Sequence, residues 1–424
     1  MKFWIKSIVS NNKVALTNAG YLSILQMLSL LFPLVTYPYL IKVIGSELYG
    51  KVLFLQGISY FLSAFVSYGF NLSSTRNISL NKGDLSKVSE IFTSTIICKS
   101  IIFLPTVLIY FSYGIFTQDS DVRFLFFICI GPLFYELLFP VWLYQGMEKM
   151  KYITIVNVVS KFIFLVSIFL LIKNKDDIEL FAILNLLFYI VSGILSQYVA
   201  LKYLAVNFTH ISWNVCSKSF VDGFSVFLSS IFIALKDRLN VVAVGIMFGP
   251  HEVVIYDFAM KLISVISIPQ NIIFTAFYPS VIKEKSISKI FKIGTAITFM
   301  NISLVIAAFI ILPFIYKYML GDLSNDIYNL YILLSTVIIV GISGVIGRFI
   351  MLAFGYDKAL AKSTLINCLI YFVSIVLYIS YCSDKKLVEF SILILFIYLS
   401  ELVIRIFSLK FAESRNEKIN KKTN

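Results

Sequence analysis

What most constrains this chain is an apolar run that keeps returning. The stretch from Ala15 to Val43 is long and apolar enough to cross a bilayer, and eleven more follow it. The expected spans are residues 15–43, 48–70, 88–115, 122–146, 152–172, 179–203, 220–247, 253–278, 290–316, 327–354, 360–382 and 387–411. In hydrocarbon every backbone N–H and C=O needs an internal partner, so such segments fold as helices. Of the 424 residues 59% are hydrophobic and 14% charged, where a soluble domain carries roughly 25% charged residues. The expected fold class is an all-α polytopic membrane protein with twelve transmembrane helices.

Lys2, Lys6 and Lys13 precede the first span. A secretory signal has an apolar core of about 7–15 residues. This run is much longer, so it reads as a retained first helix. The loops are short, and alternate ones hold Arg76, Lys82, Lys87, Lys149, Lys151, Lys283, Lys285, Lys289 and Lys292, with Arg415, Lys418, Lys421 and Lys422 in the tail. The positive-inside rule puts these, and both termini, in the cytoplasm. The net charge of +13 then follows from topology and attraction to anionic headgroups, with no nucleic-acid partner required.

Two passages echo each other at about half the chain length. "GMEKMKYITIVNVVSKFIFLVSIFLLI" starts at Gly146 and "GYDKALAKSTLINCLIYFVSIVLYI" at Gly355. Each runs glycine, acid, lysine, then an asparagine (Asn157, Asn367) and a V-S-I. A second echo joins Gly45, in "VIGSELYGKV", to Gly249, in "MFGPHEVVIYDF". Weak internal symmetry of this kind marks transporter repeats. An even number of spans per repeat makes them parallel. The expected organisation is two pseudo-symmetric six-helix lobes, 1–208 and 209–411, with a basic cytoplasmic tail over 412–424.

Within the spans lie Lys99, Glu136, Lys161, Lys236, Asp237, Arg238, Asp257, Lys261, Arg348, Glu401 and Arg405. Each costs about 2.5–3.5 kcal/mol at a lipid-facing helix centre, so they must pair or line water. Seven bases against four acids leave a positive excess. Asp257 with Lys261, and Glu401 with Arg405, are spaced i,i+4 for local pairing. Lys99 and Lys161 have a snorkelling reading. The triplet Lys236–Asp237–Arg238 is harder to explain, because its residues point about 100° apart and the segment is too short to be split into two spans. A helix facing a cavity fits it best; an ion pair to a neighbouring helix is the plainer reading. Prolines at 33, 38, 132, 140, 269 and 313 are expected to kink their helices and free carbonyls.

Five scattered cysteines, Cys98, Cys129, Cys216, Cys368 and Cys382, read as small packing residues. No phosphate-binding loop, zinc-protease or serine-nucleophile motif is present, so no enzyme, metal or cofactor is expected. Energy for transport must come from a proton or sodium gradient or from the substrate's own gradient. Glu136, Asp237, Asp257 and Glu401 are the candidate ion carriers.

The segments "PLVTYPYLIKVIGSELYGKVLF" (33–54), "YGFNLSSTRNISL" (68–80), "YQGMEKMKYITI" (144–155) and "YDFAMKLISVISIPQ" (256–270) resemble the bacterial Wzx polysaccharide flippases. These belong to the superfamily that also holds the MATE multidrug exporters and the lipid II flippase. The resemblance spans the chain and implies two six-helix lobes with a cationic central lumen. It implies an O-antigen repeat unit on undecaprenyl pyrophosphate as substrate, moved across the bacterial inner membrane beside an O-antigen polymerase and a chain-length regulator. On that reading Lys236, Arg238, Arg348, Lys261, Lys99, Lys161 and Arg76 are the candidate substrate contacts, with arginine as a bidentate fork on phosphate and lysine as a point charge. A MATE-like antiporter for small organic cations is the alternative, and it predicts an excess of acids. A polymerase would carry a large outer loop, where these are all short. An acyltransferase would need an intramembrane histidine, whereas His210 and His251 fall at loops.

Overall fold

The computed structural model describes residues 13–115, 120–320, 326–381 and 386–423. Some side chains within these helices, Lys236 and Asp237 among them, lie outside the described set, as does Cys382. In chain order the helices are α1 (Lys13–Val43), α2 (Ser46–Ser67), α3 (Phe70–Leu80), α4 (Leu85–Ile115), α5 (Ser120–Ile128), α6 (Gly131–Leu138), α7 (Val141–Gly146), α8 (Met150–Leu171) and α9 (Ile178–Tyr203). There follow α10 (Trp213–Met247), α11 (Pro250–Ile266), α12 (Ile268–Glu284), α13 (Ile287–Leu320), α14 (Ile327–Gly344), a π-helix (Val345–Leu352), α15 (Asp357–Tyr381) and α16 (Leu387–Thr423). The described residues contain no strand.

Each of the twelve expected spans falls on helix, and among the described residues ten helical stretches are long and apolar enough to cross a membrane. The chain is thus a multi-pass membrane protein. The two spans outside the ten are the seventh and eighth. In α10 the described residues include a shorter apolar segment, Arg238–Met247. The eighth span is divided at Ser267 into α11 and α12, with Pro269 in the first turn of the second. Pro132 and Pro140 also sit at breaks, in the first turn of α6 and just before α7. Pro33, Pro38 and Pro313 lie inside helices that continue past them.

By contacts the chain forms two compact units, Met1–Val242 and Ala243–Asn424. The expected boundary at 208/209 marks where the repeat would restart; the contact division falls within α10, the greater part of which belongs to the first unit. The first unit has a core of Phe92, Phe139, Trp142, Leu143 and Tyr144. In the second, Phe274, Ile297, Val345 and Phe349 are buried together.

The echoed glycines have matching geometry. Gly45 (φ 93°, ψ 151°) caps α2, and Gly249 (φ 106°, ψ 178°) caps α11. Both occupy a region open essentially to glycine alone. The other echo, of Gly146 and Gly355, closes on matching helix ends. Lys149 N–H donates to Tyr144 O at 2.8 Å and Glu148 N–H to Gln145 O at 3.1 Å. Tyr356 N–H donates to Met351 O at 2.7 Å and Gly355 N–H to Leu352 O at 3.2 Å. This is the pattern of a left-handed C-terminal cap. It aligns Gly355 with Glu148 (φ 55° against 81°), two residues beyond Gly146. Substituting Gly45 or Gly249 by alanine should cost about 1–3 kcal/mol each, read as a lower thermal midpoint of the purified protein, although both positions have open space for a Cβ.

Candidate functional site

The fourth passage is broken between α6 and α7, where Phe139 is extended and Pro140 has φ −81° and ψ 65°. A helical carbonyl at Glu136 would accept from residue 140, but proline has no N–H to give. Lys99, from α4, takes that place. Its Nζ donates to the Glu136 backbone oxygen at 3.0 Å and to Glu136 Oε1 at 2.8 Å. The carbonyl of Leu138 is likewise met by Gln197 Nε2 of α9, at 2.6 Å. Two side chains from two other helices thus satisfy carbonyls at a break in the membrane. Asn71 Nδ2 adds a third bond, to Glu136 Oε1 at 3.2 Å. Asn71 lies just past a second break, at Tyr68 and Gly69, where φ is 43° and 73°. The lysine side chain is 1% exposed and the carboxylate 20%. Lys99 therefore does not snorkel; Glu136 is its partner and the more accessible member of the pair.

Arg238 is differently placed. It projects from α10 to α2, where its Nη1 donates to Tyr60 O at 3.0 Å and reaches Ser63 Oγ at 3.5 Å. Its guanidinium lies 5.3 Å from the centre of the Tyr60 ring. Gly57 lets the two helices meet, since a Cβ there would lie 3.0 Å from Val241 Cγ1. The Tyr60 and Tyr189 hydroxyls are hydrogen-bonded. Every partner of Arg238 among the described residues is neutral.

In the second unit, Asp257 and Lys261 form the expected i,i+4 pair, at 3.7 Å. Asp257 Oδ2 is buried without a hydrogen-bond partner. Glu401 pairs with Arg405 as expected, and Asn367 Nδ2 donates to Glu401 Oε2 at 3.2 Å. Arg405 Nη1 also donates to Ser343 O at 3.0 Å and Ser343 Oγ at 2.7 Å, which ties α16 to the end of α14. Arg348, on the π-helix, lies 4.8 Å over the Phe274 ring.

Lys161 donates to Ser29 Oγ at 2.6 Å, joining α8 to α1. Arg76 is exposed on α3. The side chains of Lys236 and Asp237 lie outside the described residues. Cys98, Cys129, Cys216 and Cys368 are buried and outside any disulfide, and no His/Cys/Asp/Glu cluster suited to a metal occurs among the described residues. Sequence reasoning left the Lys99–Glu136 pair and the Gln197 contact unnoticed. The signal for the pair was depth: both residues lie well inside neighbouring antiparallel spans.

The charge pattern can be stated simply. Of the four candidate ion carriers, the three whose side chains are described each hold a base: Glu136 has Lys99, Asp257 has Lys261 and Glu401 has Arg405. Arg238 and Arg348 have no acidic partner among the described residues.

Residues 15–285 match the family described as polysaccharide biosynthesis protein. A relative from Escherichia coli (strain K12), named "Putative O-antigen transporter", is 27% identical over 365 residues, covering 84% of this chain and 88% of its own. Among solved structures, an inward-facing MATE-family multidrug transporter of the MOP superfamily superposes with TM-score 0.64 at 13% identity, over 95% of this chain and 100% of that one. An outward-facing one gives 0.60 at 14% identity, over 95% and 96%. The second unit, like the first, thus falls within a MATE-type transporter fold. The chain belongs to the polysaccharide biosynthesis protein family.

Proposed function

We propose that this protein is a flippase for an oligosaccharide repeat unit carried on undecaprenyl pyrophosphate. It moves the O-antigen unit from the cytoplasmic to the periplasmic leaflet of the bacterial inner membrane, with both its own termini in the cytoplasm. The carrying observation is the surplus of cation: Arg238 and Arg348 lack acidic partners among the described residues, while Glu136, Asp257 and Glu401 are each paired with a base. An organic-cation antiporter would need the opposite balance. Family membership and the name of the Escherichia coli relative support the same substrate class.

Arg238 fits the diphosphate contact. It is held by a carbonyl, a hydroxyl and a ring, which an anion can displace, because charge-assisted bonds are about twice as strong as neutral ones. Lys236 would add a point charge. Lys99, enclosed by Glu136, holds the fourth passage in shape. The glycan crosses in water while the prenyl tail stays in lipid, and the two halves alternate in access. No cofactor enters. Coupling to a proton or sodium gradient falls to Asp257, whose unpartnered Oδ2 is the atom a proton would satisfy.

The test is a gel of surface lipopolysaccharide from a strain lacking the gene. Bare core, restored to a full ladder by the wild-type gene, is expected. Core bearing one repeat unit would place the block at polymerisation and refute this reading.

A further inference from the structure

The second unit holds two arginines, Arg348 and Arg405, the second paired with a carboxylate, set against a rare helix geometry. Arg405 is tied to Glu401 and to Ser343, but its Nε is buried without a hydrogen-bond partner. Arg348 is exposed and makes no hydrogen bond or ion pair among the described residues; Phe274 lies under its guanidinium. Gly347, the residue before Arg348, makes room for Arg405: a Cβ there would lie 3.4 Å from Arg405 Nη1.

All three charges lie on passages that read as membrane helices. The sum over the cluster is one positive charge. Such a surplus is costly in a low-dielectric setting unless a counter-charge arrives. The π-helix sharpens the point. Eight residues, Val345–Leu352, wind in this form, which is rare and concentrates at functional sites. The neutral contacts already made by Arg405 fix its fork, so binding there loses little further side-chain freedom. Phe274 does the same for Arg348 from one ring face, leaving its N–H groups available.

We propose that Arg348 and Arg405 form an oxyanion site in the second unit, with Glu401 as the built-in competitor that occupies Arg405 when the site is empty. The ligand class is a compact oxyanion, a phosphate or a carboxylate. Two sources share that chemistry: the diphosphate of the carrier lipid and an acidic sugar of the glycan. The proposal rests on the flippase reading for its physiological ligand, but not for its binding test.

Inorganic pyrophosphate and glucuronate are titrated separately by calorimetry into the full chain in detergent micelles. Arg348→Gln should weaken binding at least tenfold; the substitution removes an exposed, unbonded side chain and leaves the fold intact. Glu401→Gln should strengthen it several-fold, because the competing charge is gone while an amide can still meet Asn367 and Arg405. The increment from Glu401→Gln should persist in an Arg238→Gln background, which separates this site from α10. Tighter pyrophosphate assigns the carrier headgroup, and tighter glucuronate assigns an acidic sugar. Binding that ignores Arg348→Gln, or that weakens on Glu401→Gln, overturns the site. These outcomes do not depend on transport, so a failed flipping assay beside Arg348-dependent binding would count against the flippase reading and not against the site.

Discussion

Arg238→Ala should abolish the surface polysaccharide ladder while leaving the protein inserted at wild-type level. The side chain contributes two hydrogen bonds to neutral atoms and one ring contact at rest. None of its described partners is an anion, so among the described residues its removal strands no buried charge, and insertion becomes easier by part of the cost of a mid-membrane arginine, about 2.5–3.5 kcal/mol. Toward a diphosphate the same side chain supplies charge-assisted bonds of about 1.5–3 kcal/mol each. Losing two of them amounts to a loss of about 100-fold or more in the rate of export. Arg238→Lys should retain a small part of the activity, since the point charge survives while the fork and the stacking on Tyr60 do not. Complementation of a deletion strain, with the protein level measured in the membrane fraction, reads both effects. A full ladder with Arg238→Ala would remove this residue from the substrate path.

Lys99→Met should act in the opposite way, on the fold first. It removes one member of a buried ion pair, which costs about 3–5 kcal/mol because the remaining charge is left without compensation. It also reopens the Glu136 carbonyl that Pro140 cannot serve. The expected result is a large fall in thermal midpoint and in the amount of protein in the membrane. The double variant Lys99→Met/Glu136→Gln should recover part of that loss, because no charge is then stranded, but not all of it, because the carbonyl stays open. A single variant as stable as wild type would mean that water or another group serves both oxygens.

Much of this was legible in the residues. The helical passages follow from the length of the apolar runs, and the i,i+4 spacing gave Asp257–Lys261 and Glu401–Arg405 directly. The Gly45 and Gly249 echo was read as a repeat, and the backbone gives it a reason, since both cap a helix in a conformation closed to other residues. The Gly146 and Gly355 echo needs a gap of one or two residues in the letters, and the backbone places it: Glu148, not Gly146, matches Gly355 in conformation. The prolines divide by context. Pro132, Pro140 and Pro269 fall where a helix starts, a position proline tolerates, and Pro33, Pro38 and Pro313 lie inside helices that continue past them. What the sequence hid was tertiary. Nothing local tells that Lys99 meets Glu136, that Gln197 serves the Leu138 carbonyl, or that Arg405 lies against the residue before Arg348. Those facts depend on which helix neighbours which, and an apolar pattern with charges embedded in it fixes depth but not neighbours.

The most direct test of the central claim is a flipping assay with the purified protein in sealed vesicles. A fluorescent oligosaccharide on undecaprenyl pyrophosphate is placed in one leaflet, and its appearance in the other is followed with and without an imposed proton or sodium gradient. The account predicts protein-dependent transfer, lost with Arg238→Ala, and no gradient-driven export of small organic cations. Export of an organic cation with no movement of the lipid-linked sugar would contradict it.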